Sequence, residues 1–197
     1  MEELSTSEEP FFPCLPYGFK TQFDMSGWIS NTGPRQDGKV AMVKDLEIKS
    51  YCAEITTTGV NNQTSVSFPD ESQYIGTTLP WLNLHLKHLG RFTTIVVELE
   101  TEDGVSRKLS ISNHNSVIKL EIENASLPLK LVEGWNKIVL NLADLCERIW
   151  RVQYAYAIRI SIFANCRVRR VFFSERNCKD SELPIPLRVF APAPAAR

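Results

Sequence analysis

Three histidines, five cysteines and one arginine-rich stretch are the residues of this 197-residue chain with the most scope for chemistry. His85 and His88 stand three apart in LNLHLKHLG. On a helix they would share a face and could hold a metal together. On a strand they point to opposite faces, and the alternation of Leu82, Leu84 and Leu86 reads as a strand. His114 falls in SNHNS, a turn. Cys14, Cys52, Cys146, Cys166 and Cys178 are odd in number and contain no C-x-x-C pair, so they read as free thiols of a reducing compartment, mostly packed in a core. A Cys–His nucleophile is formally open, and Cys166 beside Arg167 could carry a lowered pKa. Core packing is the stronger reading, because Cys166 follows an apolar strand. The acids of EDG and KDSE sit where turns place acids in any case. The phosphate-loop, dinucleotide and nucleophile-elbow glycine patterns are absent. No metal, cofactor or catalytic set is expected.

That leaves FANCRVRRVFFSER, residues 163–176, with Arg167, Arg169, Arg170 and Arg176. A regular strand would put Arg167, Arg169, Val171 and Phe173 on one face and Val168, Arg170 and Phe172 on the other. Arginine stems cover apolar surface while their forks bind carboxylates, which suits a protein partner as well as a phosphate backbone. The plain alternative is pairing with acids of neighbouring strands.

The elements that must position these residues are strands. FTTIVVELE alternates, with Ile95, Val97 and Leu99 on one face. Asp103-Gly104 then marks a hairpin. NKIVLNL turns Ile138, Leu140 and Leu142 inward, and YAIRISIFA turns Ile158, Ile160 and Ile162 inward. Further strands are expected at 46–56, 64–68, 80–88, 117–123, 127–132, 167–173 and 187–190. Only LADLCERIWRV reads as a helix, with Asp144 placed to cap it or meet its dipole. Many short strands with one short helix predict an antiparallel β-sandwich. Residues 1–10 read as a disordered acidic start and 11–40 as an irregular extension whose aromatics pack on a surface. The sandwich is expected over 41–192, with a tail at 193–197.

Composition sets further bounds. The chain is 43% hydrophobic and 23% charged, as in ordinary globular proteins, and no run approaches a membrane span. MEELSTSEEP is not a secretory signal, so the sequons at Asn62 and Asn124 read as chance matches. Net charge is −1 but uneven. From Glu147 onward ten Lys/Arg face four Asp/Glu, a balance of +6, and the rest of the chain stands at −7. A basic end can meet an acidic partner.

Several blocks carry a resemblance. HLGRFTTIVVELETEDGVSRKLSISN, EGWNKIVLNLADL, FANCRVRRVFFSER and SELPIPLRVFAP are similar to successive blocks of the cilia- and flagella-associated protein twenty family. The likeness covers about residues 40–192. Its most specific parts are Gly134-Trp135-Asn136, the run Ala164-Asn165-Cys166-Arg167 with Arg169-Arg170, and Phe173 to Arg176. The chain departs from the family in its longer first forty residues, in a basic run reduced to Arg107 and Lys108, in Glu175 for an Asp, and in SELP. A diverged paralogue is the expectation.

The resemblance implies a jelly-roll sandwich similar to carbohydrate-binding modules. It also implies a non-enzymatic protein of the ciliary or flagellar axoneme, at the inner junction where the B-tubule closes on the A-tubule. Tubulin and the parkin co-regulated protein would be its partners, with the basal body or nucleus as further locations. Arg167, Arg169, Arg170 and Arg176 are then the candidate partner surface. Gly134, Trp135, Asn136, Asn165 and Cys166 are structural, with Trp135 plugging one end of the core and Asn165 satisfying backbone at a strand end. Two other classes compete. A glycan-binding module would need Trp81 and Trp150 exposed, and a nucleic-acid binder would need a stacking platform and a broad basic surface that this composition does not offer.

Overall fold

Alternating apolar residues can bury only one face of a strand, so strands of this kind must pair face to face. The computed structural model describes residues 2–3, 9–15, 24–33, 37–59 and 63–188. Within them the chain forms β1 (Glu2–Glu3), β2 (Phe11–Leu15), β3 (Ile29–Asn31), β4 (Gly38–Asp45), β5 (Ser50–Thr57), β6 (Ser65–Phe68) and β7 (Gln73–Tyr74). There follow β8 (Trp81–His88), β9 (Thr94–Thr101), β10 (Ser106–Ser112), β11 (Lys119–Leu120), β12 (Asn124–Pro128) and β13 (Gly134–Asn141). The helix α1 (Leu142–Trp150) leads into β14 (Tyr154–Phe163) and β15 (Cys166–Ser174). Short 3₁₀ turns at Asp180–Glu182 and Ile185–Leu187 follow.

Two sheets result. One runs β11-β12-β10-β9-β14-β6-β3 and the other β13-β8-β15-β5-β4, with β2 added beside β15. Pairing is antiparallel except β10 with β12 in the first sheet, and β1 with β7 outside both. The chain crosses between the sheets from β2 to β3, β3 to β4, β5 to β6, β6 to β8, β8 to β9, β12 to β13, β13 to β14 and β14 to β15, as a jelly-roll sandwich requires. The core lies between them. Ile95, Val97, Leu99, Ile160 and Ile162 from one sheet face Leu82, Leu84, Leu86, Val171 and Phe173 from the other. Burial of this shared apolar surface drives the fold.

The helix closes one end. Asn141 caps it by accepting from the Asp144 amide at 3.1 Å, and Asp144 pairs with Arg148 one turn on. Arg107, in register with Leu99, points to the core side under this helix. Its guanidinium sits 5.6 Å from the Trp150 ring and bridges to Asp103 at 2.7 Å. Gly104 at φ +74 allows the β9–β10 turn that holds Asp103 there.

Several boundaries differ from the periodic reading. β4 occupies 38–45, where no strand is expected, because an edge strand shows no clean alternation. Residues 46–49 form a turn, so β5 starts at Ser50. The strand expected at 117–123 shrinks to β11, and the next runs 124–128 instead of 127–132, ending on a proline that has no donor to give. Leu187 lies in a 3₁₀ turn, not a strand, in a segment broken by Pro184 and Pro186. Positions 189–190 fall outside the described residues. Ile158 is only half-buried, because a bulge in β14 turns Ala157 inward instead.

In the N-terminal region, Phe12 packs on Phe173, Trp28 packs on Phe68, and the Trp28 indole donates to the Cys14 carbonyl at 2.7 Å. Glu2 and Glu3 pair with Gln73 and Tyr74. Residues 1 and 4–8 of the expected disordered start lie outside the described residues, as does the tail.

Phe173 is fully buried at the centre of the core. Phe173→Ala is expected to lower unfolding free energy by about 3–5 kcal/mol. Met42→Ser, on an exposed part of β4, should change it by no more than about 0.5 kcal/mol. Urea denaturation of both variants checks this, and equal losses would contradict the assignment of the core.

Candidate functional site

The outer face of the β13-β8-β15-β5-β4 sheet gathers most of the residues singled out from sequence. Its organiser is a β-bulge. β15 pairs with β8 as Val168↔Leu86 and then Arg170↔His85, leaving Arg169 as the extra residue. The bulge corrects the strict alternation expected for this strand. Val168, Val171 and Phe173 point inward, while Arg167, Arg170 and Phe172 share the outer face. Arg170 therefore lies on the same face as Arg167.

Arg167 is held inside the domain. Its guanidinium meets Glu54 at 2.6 Å and Asp45 at 2.7 Å. Asp45 is fully buried. It also accepts from Lys87 at 3.0 Å, from the Trp135 indole at 3.3 Å, and from the amides of Glu47 and Ile48. One carboxylate thus ties the β4–β5 turn to β8, β13 and β15. Burial alone would raise its pKa. The bonds from Lys87, Arg167 and Trp135 outweigh that and hold it well below the ordinary carboxylate range. Lys87 bonds Glu47 as well, at 2.9 Å, and stays protonated despite its own desolvation.

Trp135 corrects a second expectation. It does not plug the core but lies half-buried on this outer face, in register with Lys87 and stacked on His85 at 4.5 Å between ring centres. Gly134, at φ +82, sets the approach, and Asn136 locks the turn through bonds to Val132 and Gly134. The family-like Gly-Trp-Asn triplet is therefore a device for aiming an indole at Asp45.

Arg169 and Arg170 are 5% and 6% exposed, so neither forms the partner surface expected from sequence. β2 extends the sheet beside Val171–Ser174, Phe172 packs with Phe11 of β2 and with Cys178, Leu183 and Leu187 of the C-terminal arm, and Asp180 of that arm lies close enough to act on the Arg170 charge. Burial lowers the Arg169 pKa to about 10. Burial together with Arg169 lowers that of Arg170 to about 9. Burial, with Arg170 and Arg169 nearby, lowers His85 to about 4, so it is neutral at physiological pH. Arg176 alone of the four arginines is well exposed, bridging to Glu182 at 2.9 Å.

Asn165 and Cys166 flank the start of β15. The Asn165 side chain accepts from the Thr57 amide at 2.9 Å at the end of β5. Cys166 is in the core, where burial pushes its thiol up to about 12, so it is not a thiolate even though His88 faces it in register. His85 and His88 lie on opposite faces of β8. No group of three metal-ligating side chains occurs among the described residues, and none of their helices is long and apolar enough to cross a membrane. Asp45, Glu54 and Lys87 were not visible from sequence as members of this network. Asp45 merely ends an edge strand, and its arginine partner lies 122 positions away.

Residues 18–191 match the CFA20 domain. Cilia- and flagella-associated protein 20 of Paramecium tetraurelia is 32% identical over 157 residues, which cover 80% of this chain and 82% of that protein. This chain belongs to the CFA20 domain family. The protein of the same name from Chlamydomonas reinhardtii is 30% identical over 156 residues, covering 79% and 82%. Among solved structures, the CBM22-1 xylan-binding domain of Paenibacillus barcinonensis Xyn10C overlaps 73% of this chain and 85% of that one. Its identity is 12% and its TM-score 0.30, too loose a likeness to bear on function. β2 lies ahead of the CFA20 match, yet it pairs with β15 of that domain. The sheet beside the arginine strand is thus built partly by residues outside the family domain.

His85 gives this face a pH signature. The unfolded chain takes up the His85 proton near 6.5, and the folded chain resists until about 4. Stability is therefore complete above about pH 6.5 and declines as pH falls toward 4, by a total on the order of 3 kcal/mol. His85→Gln is expected to flatten that slope. Urea denaturation at several pH values measures it, and an unchanged slope would place the proton uptake elsewhere.

Proposed function

We propose that this chain is a non-enzymatic structural protein of the ciliary or flagellar axoneme. In this reading it is an inner-junction component that helps to join the A- and B-tubules of the doublet and so supports motility. The observation that carries the reading is membership of the CFA20 family, with about four-fifths of the chain aligned to relatives named for cilia and flagella. The architecture supports it: a packed sandwich whose outer sheet face is tied together by the Asp45 network suits a spacer better than a reaction vessel.

Tubulin, whose surface is acidic, and the parkin co-regulated protein are the partners this reading implies. With Arg167, Arg169 and Arg170 engaged or covered, the tubulin contact falls to the cations left exposed in the C-terminal quarter. Arg176 and Lys179, close together on the arm, are the foremost of these. Neither rival class gains support. The Trp150 ring is occupied by Arg107 and its indole donates to the Glu121 carbonyl, while Trp81 is half-buried, so neither offers a sugar platform. The arginine strand is not open to a phosphate backbone.

The test is co-sedimentation with doublet microtubules across a salt series, wild type against Arg176→Glu/Lys179→Glu. Wild type is expected to pellet with the doublets and to release as salt rises, since exposed charges are screened over ~8–10 Å at physiological ionic strength. The double variant should release at lower salt, with stability changed by only about 0.5 kcal/mol. Failure of wild type to pellet at any salt concentration would count against the proposal.

A further inference from the structure

Residues 117–122 form the most concentrated exposed apolar surface among the described residues. Val117, Ile118, Leu120 and Ile122 are 59%, 61%, 54% and 82% exposed. The same segment is firmly held from behind. The Trp150 indole donates to the Glu121 carbonyl at 2.9 Å, and β11 pairs with β12 as Lys119↔Ser126 and Leu120↔Ala125. Apolar side chains displayed on a pinned backbone mark an interaction surface.

β11 is also the outer strand of its sheet. The Glu121 amide donates to the Asn124 carbonyl, so the N–H of Glu121 and, two residues back, that of Lys119 point toward β12. The alternation of an antiparallel pair then turns the N–H and C=O of Leu120 to the open edge. That is an unpaired template for another strand.

The sequence around Leu120 fits its own reverse. In an antiparallel pairing centred on Leu120, Lys119 stands opposite Glu121 and Ile118 stands opposite Ile122. Opposite charges meet on both sides of the centre, and apolar residues meet beyond them. Cross-strand neighbours of these kinds are the favourable ones. A two-fold contact needs this self-complementarity, because each residue i that meets j must be met by it in turn.

We propose that the β11 edge is a homodimer interface, in which a second copy of this chain pairs antiparallel about Leu120 and joins two sandwiches into one continuous sheet. The contact is short, so the dimer is in concentration-dependent exchange with monomer. The inference stands apart from the axonemal reading and survives or fails independently of it.

Sedimentation equilibrium of the full chain over a concentration series is the experiment, with Lys119→Glu and Glu121→Lys as variants. Wild type should show a monomer–dimer equilibrium. Each single variant should associate at least about tenfold more weakly, because like charges then face each other. An equimolar mixture of the two variants should dimerise again, since the two acids flanking Leu120 in one copy then meet the two lysines flanking it in the other. The Lys119→Glu/Glu121→Lys double variant should dimerise like wild type. Wild type that stays monomeric up to about 1 mM overturns the proposal, and any partner of that edge is then a different chain. Single variants that dimerise as well as wild type, or a mixture that fails to re-associate, overturn it too. Hydrogen exchange at the Leu120 amide of wild type gives a readout free of mutation, with protection expected to rise with protein concentration and a constant rate counting against the dimer.

Discussion

A single buried carboxylate, Asp45, sets the terms for one whole face of this molecule. It receives a guanidinium, an ammonium, an indole and two backbone amides, drawn from β8, β13, β15 and the turn after β4. A buried charge of this kind is tolerated only when it is paired and fully bonded, and once paired it is costly to disturb. Removing any one donor leaves a desolvated charge behind. The face is therefore cooperative: β4, an edge strand in which Asp45 is the one buried residue, is fastened by charge where β9 and β14 are fastened by burial.

The bulge at Arg169 is what makes this possible. Without the extra residue, β15 would alternate and send Arg170 into the core. With it, the strand keeps Val168, Val171 and Phe173 inward and gathers its cations outside. Beside them on that face, Phe172 packs with Phe11 of β2 and with Cys178, Leu183 and Leu187 of the C-terminal arm. The arginine strand carries the greatest local concentration of arginine in the sequence, and the structure buries or pairs all three of its arginines.

Periodicity made the sandwich legible. Ile95, Val97 and Leu99 in β9, the Asp103-Gly104 turn and the nine-residue helix all follow from local chemistry. The failures share a cause. β4 and β11 are edge strands, where one neighbour is missing and alternation decays, so β4 does not announce itself as a strand and β11 is shorter than its sequence suggests. The faces of β15 were misread because a bulge is a property of two paired strands, and nothing local in RVRR announces it. Trp135 was assigned to the core on residue type alone, whereas its place depends on Asp45, ninety positions away. The partners of Arg167 were not legible, because ion pairs between distant strands leave no trace in spacing.

The claim that the arginine strand is internal framework rests on the Asp45–Arg167 pair, and a double-mutant cycle measures that pair directly. Asp45→Asn, Arg167→Gln and the combined variant would each be unfolded in urea at pH 7. The account predicts a coupling free energy of at least about 1 kcal/mol, within the range for residues sharing one buried network. A coupling of about 0.2 kcal/mol or less, as many exposed ion pairs give, would contradict it and return Arg167 to the solvent-facing surface.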